Sequence, residues 1–245
     1  MKAVLATFNR ELRAYFLSPL AYVVLFFFLV VNGFVFAIIV DYLNDPRAPA
    51  GQPLDYFFTA FWWLILLAAV PALTMRLLAE ERNSGSIEVL MTAPITENQV
   101  VLGKYLGCLT FYVFLWLPTV LYGVVLETYT EVDWGPVAAG YLGLFLIGAL
   151  FLAIGLFASA LTRNQLIAAI ITFALLLLLI LGVALVQNLI DTPWLQNTLA
   201  YMNALDHQEE FSRGIVDSRR LVFYLSGTVF FLFLTARVLE NNKWS

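Results

Sequence analysis

The segment at 80–103, EERNSGSIEVLMTAPITENQVVLG, is polar and separates two long apolar runs of the chain. Arg76 to Arg82, which overlap the start of this segment, continue the preceding helix. Asn83 to Ser86 have the composition of a turn. Thr96 and Gln99 have the spacing of a capping box, which predicts the start of the next long helix. The segment is therefore predicted to connect two helices that cross a membrane.

A short amphipathic helix is predicted within this segment. Ser86 is suited to cap its N-terminus, and Glu88 then lies in the first turn, where the helix dipole favours a negative charge. Pro94 ends the helix because it cannot continue the backbone hydrogen bonding. One face is apolar and consists of Ile87, Leu90 and Met91. The alternative interpretation is an ordinary solvated loop.

The composition is that of a membrane protein. The 245 residues are 62% hydrophobic and 12% charged, with a mean hydropathy of +0.86, whereas soluble domains are nearer half apolar and a quarter charged. Because about 20 apolar residues cross a bilayer, we predict an all-α integral membrane protein of one domain, residues 1–245, with six transmembrane helices. Their predicted ranges are about 20–40, 57–79, 98–126, 137–161, 165–187 and 221–240.

The N-terminus is predicted to form an amphipathic helix over residues 2–18. Apolar side chains recur at helical spacing, and charged side chains occupy the rest of the helix circumference. Such a helix is typical of the membrane interface. Ser18-Pro19 then breaks the helix and turns the chain into the first span. The apolar positions are Val4, Leu5, Phe8, Leu12, Tyr15 and Phe16.

The basic residues predict the orientation of the spans. With the N-terminus in the cytoplasm, nine of the 13 Lys and Arg residues lie on the cytoplasmic side, in agreement with the positive-inside rule. Both termini and the polar segment at 80–103 are then cytoplasmic. The longest external segment is about 188–220, with a short helix around Pro193–Met202. The turn Thr162–Gln165 is tight, so spans 4 and 5 are predicted to pack as an antiparallel hairpin.

Residues with catalytic spacing are not found in the sequence, so the chain is not predicted to be an enzyme. His207 is the only histidine, which excludes a metal site built on a histidine pair. We interpret His207 as a residue that makes a local hydrogen bond within the external segment. The alternative is a binding site on the outer face that His207 forms with Asp206 and Glu209. Gly103-Lys104 lacks the upstream glycine of a P-loop, so no nucleotide cofactor is predicted in this chain. The net charge of −4 argues against nucleic-acid binding.

Few polar groups are predicted inside the spans. Lys104 lies one to two turns inside the third span and is expected to extend its amine to the interface. The residues expected to form hydrogen bonds between helices, with substrate binding as the alternative, are Asn32, Thr110, Thr119 and Thr172. The glycines expected to permit close helix packing, within the chain or between subunits, are Gly103 and Gly107, which form a GxxxG pair, and Gly148.

The quoted segment, extended by VLGKYLG at 101–107, resembles the corresponding loop of ABC-2-type transporter permeases. In that family an acidic-basic helix end leads into an SGxxExLxxxP motif and then into a helix near a VLGK-like sequence. The start of the chain, Arg10–Tyr22, resembles the gliding-motility-type (GldF-like) branch of the family. The end of the chain resembles the same branch through an outer-loop motif that contains His207, Phe211, Gly214 and Asp217.

The resemblance implies a transmembrane subunit of an ATP-binding cassette transporter in the bacterial inner membrane. Two permease chains, identical or paralogous, would associate with two cytoplasmic P-loop ATPase subunits, and those subunits would bind ATP and Mg²⁺. In such permeases the short helix between spans 2 and 3 is the coupling helix, which docks on the ATPase and corresponds to Ser86–Ala93 here. The residues implied in coupling are Arg82, Ser84, Gly85, Ile87, Glu88, Leu90, Met91 and Pro94.

Three functions stay open at this point. The first is the permease subunit of such a transporter, which couples ATP hydrolysis to export or to force transmission. The second is a non-transporting scaffold whose external segment recruits an extracytoplasmic domain protein. The third is a secondary transporter that acts alone, although the charged helix centres typical of that class are not found. The apolar interior would suit a membrane lipid or another amphiphile, and the substrate itself is not predicted.

Overall fold

The computed structural model describes residues 2–45, 53–85, 96–189 and 192–241. In these ranges the chain is helical and contains no strand. The α-helices of the described residues are α1 (Lys2–Leu17), α2 (Pro19–Leu43), α3 (Pro53–Thr59), α4 (Trp62–Thr74), α5 (Ala79–Asn83), α6 (Glu97–Trp116), α7 (Val120–Glu127), α8 (Trp134–Leu161), α9 (Gln165–Leu177), α10 (Val183–Leu189), α11 (Pro193–Ala200), α12 (Ala204–Ser212) and α13 (Ser218–Asn241). A 3₁₀ turn at Leu117–Thr119 joins α6 to α7, and a π-helical turn at Leu178–Gly182 joins α9 to α10.

Six helical stretches of the described residues are long and apolar enough to cross a membrane. They are span 1 (Ala21–Leu43), span 2 (Trp62–Asn83), span 3 (Glu97–Glu127), span 4 (Trp134–Leu161), span 5 (Gln165–Gln187) and span 6 (Ser218–Asn241). The predicted ranges agree with these bounds to within five residues, and the largest difference is in span 2, predicted at 57–79. The prediction of an all-α protein with six transmembrane helices is therefore confirmed.

Span 4 is the centre of the bundle. Its most apolar window is 83% buried, compared with 22% for spans 1 and 6, and spans 2, 3, 5 and 6 all pack against it. Glycines permit the closest of these contacts. A Cβ atom built on Gly148 would lie 2.2 Å from Cζ of Tyr112, and one built on Gly155 would lie 2.3 Å from Oγ1 of Thr74. A larger residue at either position would overlap the neighbouring span.

Span 2 is interrupted between α4 and α5. Pro71 in α4 lacks the N–H group that would donate to the preceding turn, and a turn follows at 75–78. Ser159 of span 4 supplies hydrogen-bonding partners there. Its Oγ accepts from the N–H groups of Leu78 and Ala79 at 3.1 and 3.0 Å and donates to the Met75 carbonyl at 3.1 Å. The end of span 2 is thus fixed to span 4.

The polar side chains within the spans bond mostly inside their own helices. Thr110, Thr172 and Asn32 each donate to the backbone carbonyl four residues earlier. The expectation of bonds between helices is wrong for these three, because that carbonyl is within reach of a short polar side chain. Thr119 does contact another span, since its hydroxyl lies 2.9 Å from the Tyr141 hydroxyl.

The alternating spans define two faces of the bundle. The first face carries the N-terminal end of α1, the connection between spans 2 and 3, and the turn at 162–164. The second face carries the connections between spans 1 and 2, between spans 3 and 4, and between spans 5 and 6. On it, α11 agrees with the short helix expected around Pro193–Met202, whereas α12 is an additional helix. Spans 4 and 5 pack against each other, as the tight turn at Thr162–Gln165 predicts.

Candidate functional site

Helix α1 packs along the beginning of span 3 and runs parallel to it. Its buried residues are Thr7, Glu11 and Tyr15, which lie one turn apart on the same side. They face Gly103, Gly107 and Phe111 of span 3, in the same order along the chain. The sequence predicted an amphipathic helix suited to the membrane interface. The structure adds that span 3 covers a stripe of this helix that contains two polar residues, Thr7 and Glu11.

Two glycines allow this close approach. A Cβ atom built on Gly103 would lie 2.6 Å from Cβ of Thr7, and one built on Gly107 would lie 2.8 Å from Cβ of Glu11. Carbon atoms that are not bonded stay further apart than this, at about 3.5–4.0 Å in favourable contacts. The GxxxG pair therefore packs against a helix of its own chain.

Lys104 lies between two carboxylates from other helices. Its Nζ is 2.8 Å from Oε1 of Glu11 in α1 and 2.9 Å from Oε1 of Glu81 in α5. The Lys104 side chain is 1% exposed, and those of Glu11 and Glu81 are 11% and 17% exposed. The expectation that Lys104 extends its amine to the interface is wrong, because both partners hold the amine inside the protein.

Arg10 completes this group of charges. Its Nη2 lies 3.0 Å from Glu11 and 2.5 Å from Glu81. We name Arg10, Glu11, Glu81 and Lys104 the ion cluster. Its two positive and two negative charges balance, as the burial of ionised groups requires. A cavity of about 240 Å³ lies beside the cluster, and Arg76, Glu80 and Ser84 also line it.

Further contacts fix α1 to span 2. The Tyr15 hydroxyl donates to the Leu73 carbonyl at 2.7 Å, and Arg76 donates to the Ser18 hydroxyl at 3.0 Å. The Arg76 guanidinium also lies over the Tyr15 ring, 5.4 Å from its centroid. Helix α1 is therefore held between spans 2 and 3 along its length, beyond the ion cluster itself.

The ion cluster flanks the connection between spans 2 and 3 on both sides. Glu81 belongs to α5, which ends at Asn83, and Lys104 belongs to α6, which begins at Glu97. At the start of α6, the Gln99 side chain accepts a hydrogen bond from the Thr96 N–H at 3.3 Å, which is the capping-box contact expected from the sequence. Both ends of the connection are thus attached to α1.

The residues implied in coupling divide into two groups. Arg82 donates to the Ala160 carbonyl of span 4, and the Ser84 hydroxyl donates to the Glu81 carbonyl at 3.3 Å. Gly85 has a φ of 72°, a left-handed conformation that favours glycine. Outside the described residues lie Ile87, Glu88, Leu90, Met91 and Pro94, so the short helix expected at Ser86–Ala93 stays a prediction.

A second polar group lies on the opposite face, where the motif at 207–217 was expected in an outer loop. His207 and Phe211 instead belong to α12 and are buried. His207 Nδ1 lies 2.7 Å from the Tyr224 hydroxyl of span 6, so its observed partner is neither Asp206 nor Glu209. Burial, reinforced by the Arg220 charge and opposed by Glu210, lowers the pKa of His207 to about 4.

The rest of that motif shapes the connection to span 6. A Cβ atom built on Gly143 would lie 2.7 Å from the Phe211 ring, so α12 packs closely on span 4. Gly214 has a φ of 80°, and Asp217 accepts a hydrogen bond from the Arg219 N–H at 2.8 Å. Arg220 donates twice to Glu210, both times at 3.0 Å. These contacts attach α12 to spans 4 and 6.

The functional interpretation of the sequence missed the ion cluster. Glu11 and Lys104 are 93 residues apart, and no local pattern pairs them. One signal in the sequence indicated that Glu11 is buried. Glu11 lies one turn after Thr7 and one turn before Tyr15, so it shares a helix face with the aromatic ring of Tyr15. Lys104 likewise adjoins the first glycine of the GxxxG pair, which places it at a close helix contact.

These features define a multi-pass helical membrane protein whose N-terminal helix is held between spans 2 and 3. The chain belongs to the family described as "ABC-2 family transporter protein", whose sequence model matches residues 20–243. The family resemblance expected from the polar segment is thereby confirmed.

Two curated relatives are permeases. The chain is 28% identical over 201 residues to the ABC transporter permease protein NatB of Bacillus subtilis (strain 168), across 74% of this chain and 51% of NatB. It is 27% identical over 153 residues to the probable multidrug ABC transporter permease YbhR of Escherichia coli (strain K12), across 62% of this chain and 41% of YbhR. The matches thus span about half or less of these relatives. They support an ABC transporter permease and do not support the gliding-motility-type branch.

Proposed function

We propose that this chain couples ATP hydrolysis by a separate cytoplasmic P-loop ATPase to export, or to force transmission, across the bacterial inner membrane. Two permease chains, identical or paralogous, would form the membrane part, and the ATPase subunits would bind ATP and Mg²⁺. Family membership and the permease relatives support this proposal. The positive-inside rule supports an arrangement in which the first face and both termini are cytoplasmic.

The observation that carries the proposal is the position of Lys104 between Glu11 and Glu81, at 2.8 and 2.9 Å. This contact joins α1 to the helix that precedes the connection and to the helix that follows it. An ATPase that presses on the connection would therefore move α5, α6 and α1 together. Removing a partner from a buried ion pair costs about 3–5 kcal/mol. The contacts of Lys104 with Glu11 and Glu81 should therefore stay intact when the ATPase displaces the connection.

Span 4 receives the same displacement through separate contacts. The Arg82 guanidinium donates to the Ala160 carbonyl, and Ser159 binds the backbone on both sides of the turn at 75–78. Span 4 packs against spans 2, 3, 5 and 6, so a force that arrives at its cytoplasmic end reaches the rest of the bundle. In this proposal the expected coupling helix at Ser86–Ala93 is the contact with the ATPase.

Co-purification tests the proposal. The chain is purified in mild detergent from its native host, and we expect a P-loop ATPase to co-purify while the chain alone hydrolyses no ATP. Glu88→Lys and Leu90→Ala should remove the effect of the permease on ATPase activity. Glu240→Lys is a matched control, because Glu240 is an exposed acidic residue near the end of span 6.

Two results would count against the proposal. Unchanged ATPase stimulation in both Glu88→Lys and Leu90→Ala would show that the segment at 86–95 is not the contact. Co-purification of an extracytoplasmic domain protein with no ATPase would favour the scaffold function instead.

A further inference from the structure

Two arginines lie together at the turn between spans 4 and 5. Arg82 contacts the Ala160 carbonyl in the last turn of span 4, and Arg163 occupies the middle of the turn at 162–164. Arg82 thus holds the carbonyl of a residue three positions before Arg163, so both arginines lie at the same end of span 4. The N-terminus of α9 starts at Gln165 and adds a partial positive charge to the same place.

Neither arginine has a carboxylate partner in the described part of the chain, and the partner found there for Arg82 is the Ala160 carbonyl near the C-terminus of α8. The ion pairs found there use Arg10, Lys104, Arg213, Arg220 and Arg237, and neither Arg82 nor Arg163 takes part in one. Of the two carboxylates of α5, Glu81 is occupied by the ion cluster and Glu80 lines the cavity beside that cluster. Two neighbouring guanidinium groups offer charge-assisted hydrogen bonds to an anion from outside the chain.

The depth of the two arginines indicates which anion this is. The turn between spans 4 and 5 is short, so Arg163 lies at the ends of two membrane helices rather than on a projecting loop. Beside it, Leu161 is 49% exposed and Leu166 is 71% exposed. A charged pair next to exposed apolar side chains matches an amphiphile with an anionic head and hydrocarbon tails. Basic pockets between transmembrane helices bind lipid head groups in this way.

We propose that Arg82 and Arg163 form a binding site for the phosphate head group of an anionic phospholipid, whose acyl chains lie against Leu161 and Leu166. The site does not depend on the proposed coupling to an ATPase, because lipid binding is measured on the chain alone. An acidic surface of a partner protein is the competing occupant, and the experiment separates the two.

The test is lipid retention by the full chain. Protein in neutral detergent is titrated with dioleoylphosphatidylglycerol or with dioleoylphosphatidylcholine, and native mass spectrometry counts the retained lipids. We expect preferential retention of the phosphatidylglycerol, and an apparent affinity about fivefold lower in Arg163→Gln, since a basic residue near an anionic lipid contributes about that factor. Arg163 is exposed, so this variant should fold, and its thermal unfolding is measured to check.

Arg13→Gln is the matched control, because Arg13 is an exposed arginine of α1, a different helix. It should retain phosphatidylglycerol as the unmodified chain does. Equal retention by Arg163→Gln and the unmodified chain would overturn the proposal, and so would equal losses in the two variants. Displacement of the lipid by inorganic phosphate would reassign the site to a free anion. Unchanged retention together with loss of a co-purifying partner in Arg163→Gln would assign it to an acidic protein surface.

Discussion

Replacement of Lys104 by methionine removes the central charge of the ion cluster and keeps most of the aliphatic side chain. Glu11 and Glu81 would then share Arg10 alone, whose side chain is 49% exposed. Breaking a buried ion pair by removing one partner destabilises a protein by about 3–5 kcal/mol. For a chain of this size, 1 kcal/mol shifts the midpoint of thermal unfolding by about 2–4 °C. We therefore expect a decrease of about 6–20 °C in Lys104→Met.

Cys108 provides the assay. It is the only cysteine of the chain, it is buried, and it lies one turn after Lys104 in the same helix. A maleimide dye that fluoresces on reaction with a thiol therefore reports when α1 separates from span 3 during heating. Glu240→Gln is the control, because the exposed pair of Arg237 and Glu240 should contribute about 0–1 kcal/mol.

A double-mutant cycle measures the interaction free energy between Glu11 and Lys104. We expect Glu11→Gln and Lys104→Met together to destabilise the protein by less than the sum of the two single changes, because the double variant leaves no unpaired buried charge between them. Unfolding of Lys104→Met within about 2 °C of the unmodified chain, less than 1 kcal/mol by the same conversion, would refute the cluster as a stabilising joint.

Three further predictions follow from contacts elsewhere in the bundle. Gly148→Ala should destabilise the protein by about 1–3 kcal/mol through overlap with the Tyr112 ring; thermal unfolding checks this, with Gly33→Ala as the control because its nearest neighbour is 3.5 Å away. Ser159→Ala should cost about 1–3 kcal/mol and speed hydrogen exchange of the amides at the turn in span 2, because two N–H groups lose their acceptor. The pKa of His207 is about 4 in the folded protein, below its unfolded value of about 6.5, so the unfolded state takes up the proton first. Stability should therefore fall between pH 6.5 and pH 4, by up to about 1.4 kcal/mol per pH unit, and denaturant unfolding of His207→Gln should lack this component.

The spans were predictable because hydropathy over 20 residues is a local property. The capping contact of Thr96 with Gln99 and the helix that begins at Pro193 were predictable for the same reason, since their signals lie within a few residues. The positive φ of Gly85 agrees with the turn predicted there from composition.

The ion cluster was not predictable, because its members are brought together by packing. Glu11 was assigned to the polar side of an amphipathic helix, yet two glycines of span 3 bring it into a buried contact. Lys104 was assigned to the interface by its distance from the end of the helix, and the pairing with two distant carboxylates overrides that tendency. The threonine hydroxyls show the opposite case, in which a local backbone carbonyl satisfies a group expected to reach another helix.

The claim that α1 moves together with the connection between spans 2 and 3 has a direct test. Spin labels are placed on Asn9 in α1 and Asn83 in α5, which are both exposed, and on Tyr129 at the second face, in a Cys108→Ser background. Electron–electron double resonance then measures the distances in the complex with the ATPase proposed above, with and without trapped ATP. We predict that the distance between Asn9 and Asn83 stays constant while the distances from both labels to Tyr129 change. A change between Asn9 and Asn83 as large as the changes to Tyr129 would contradict the account.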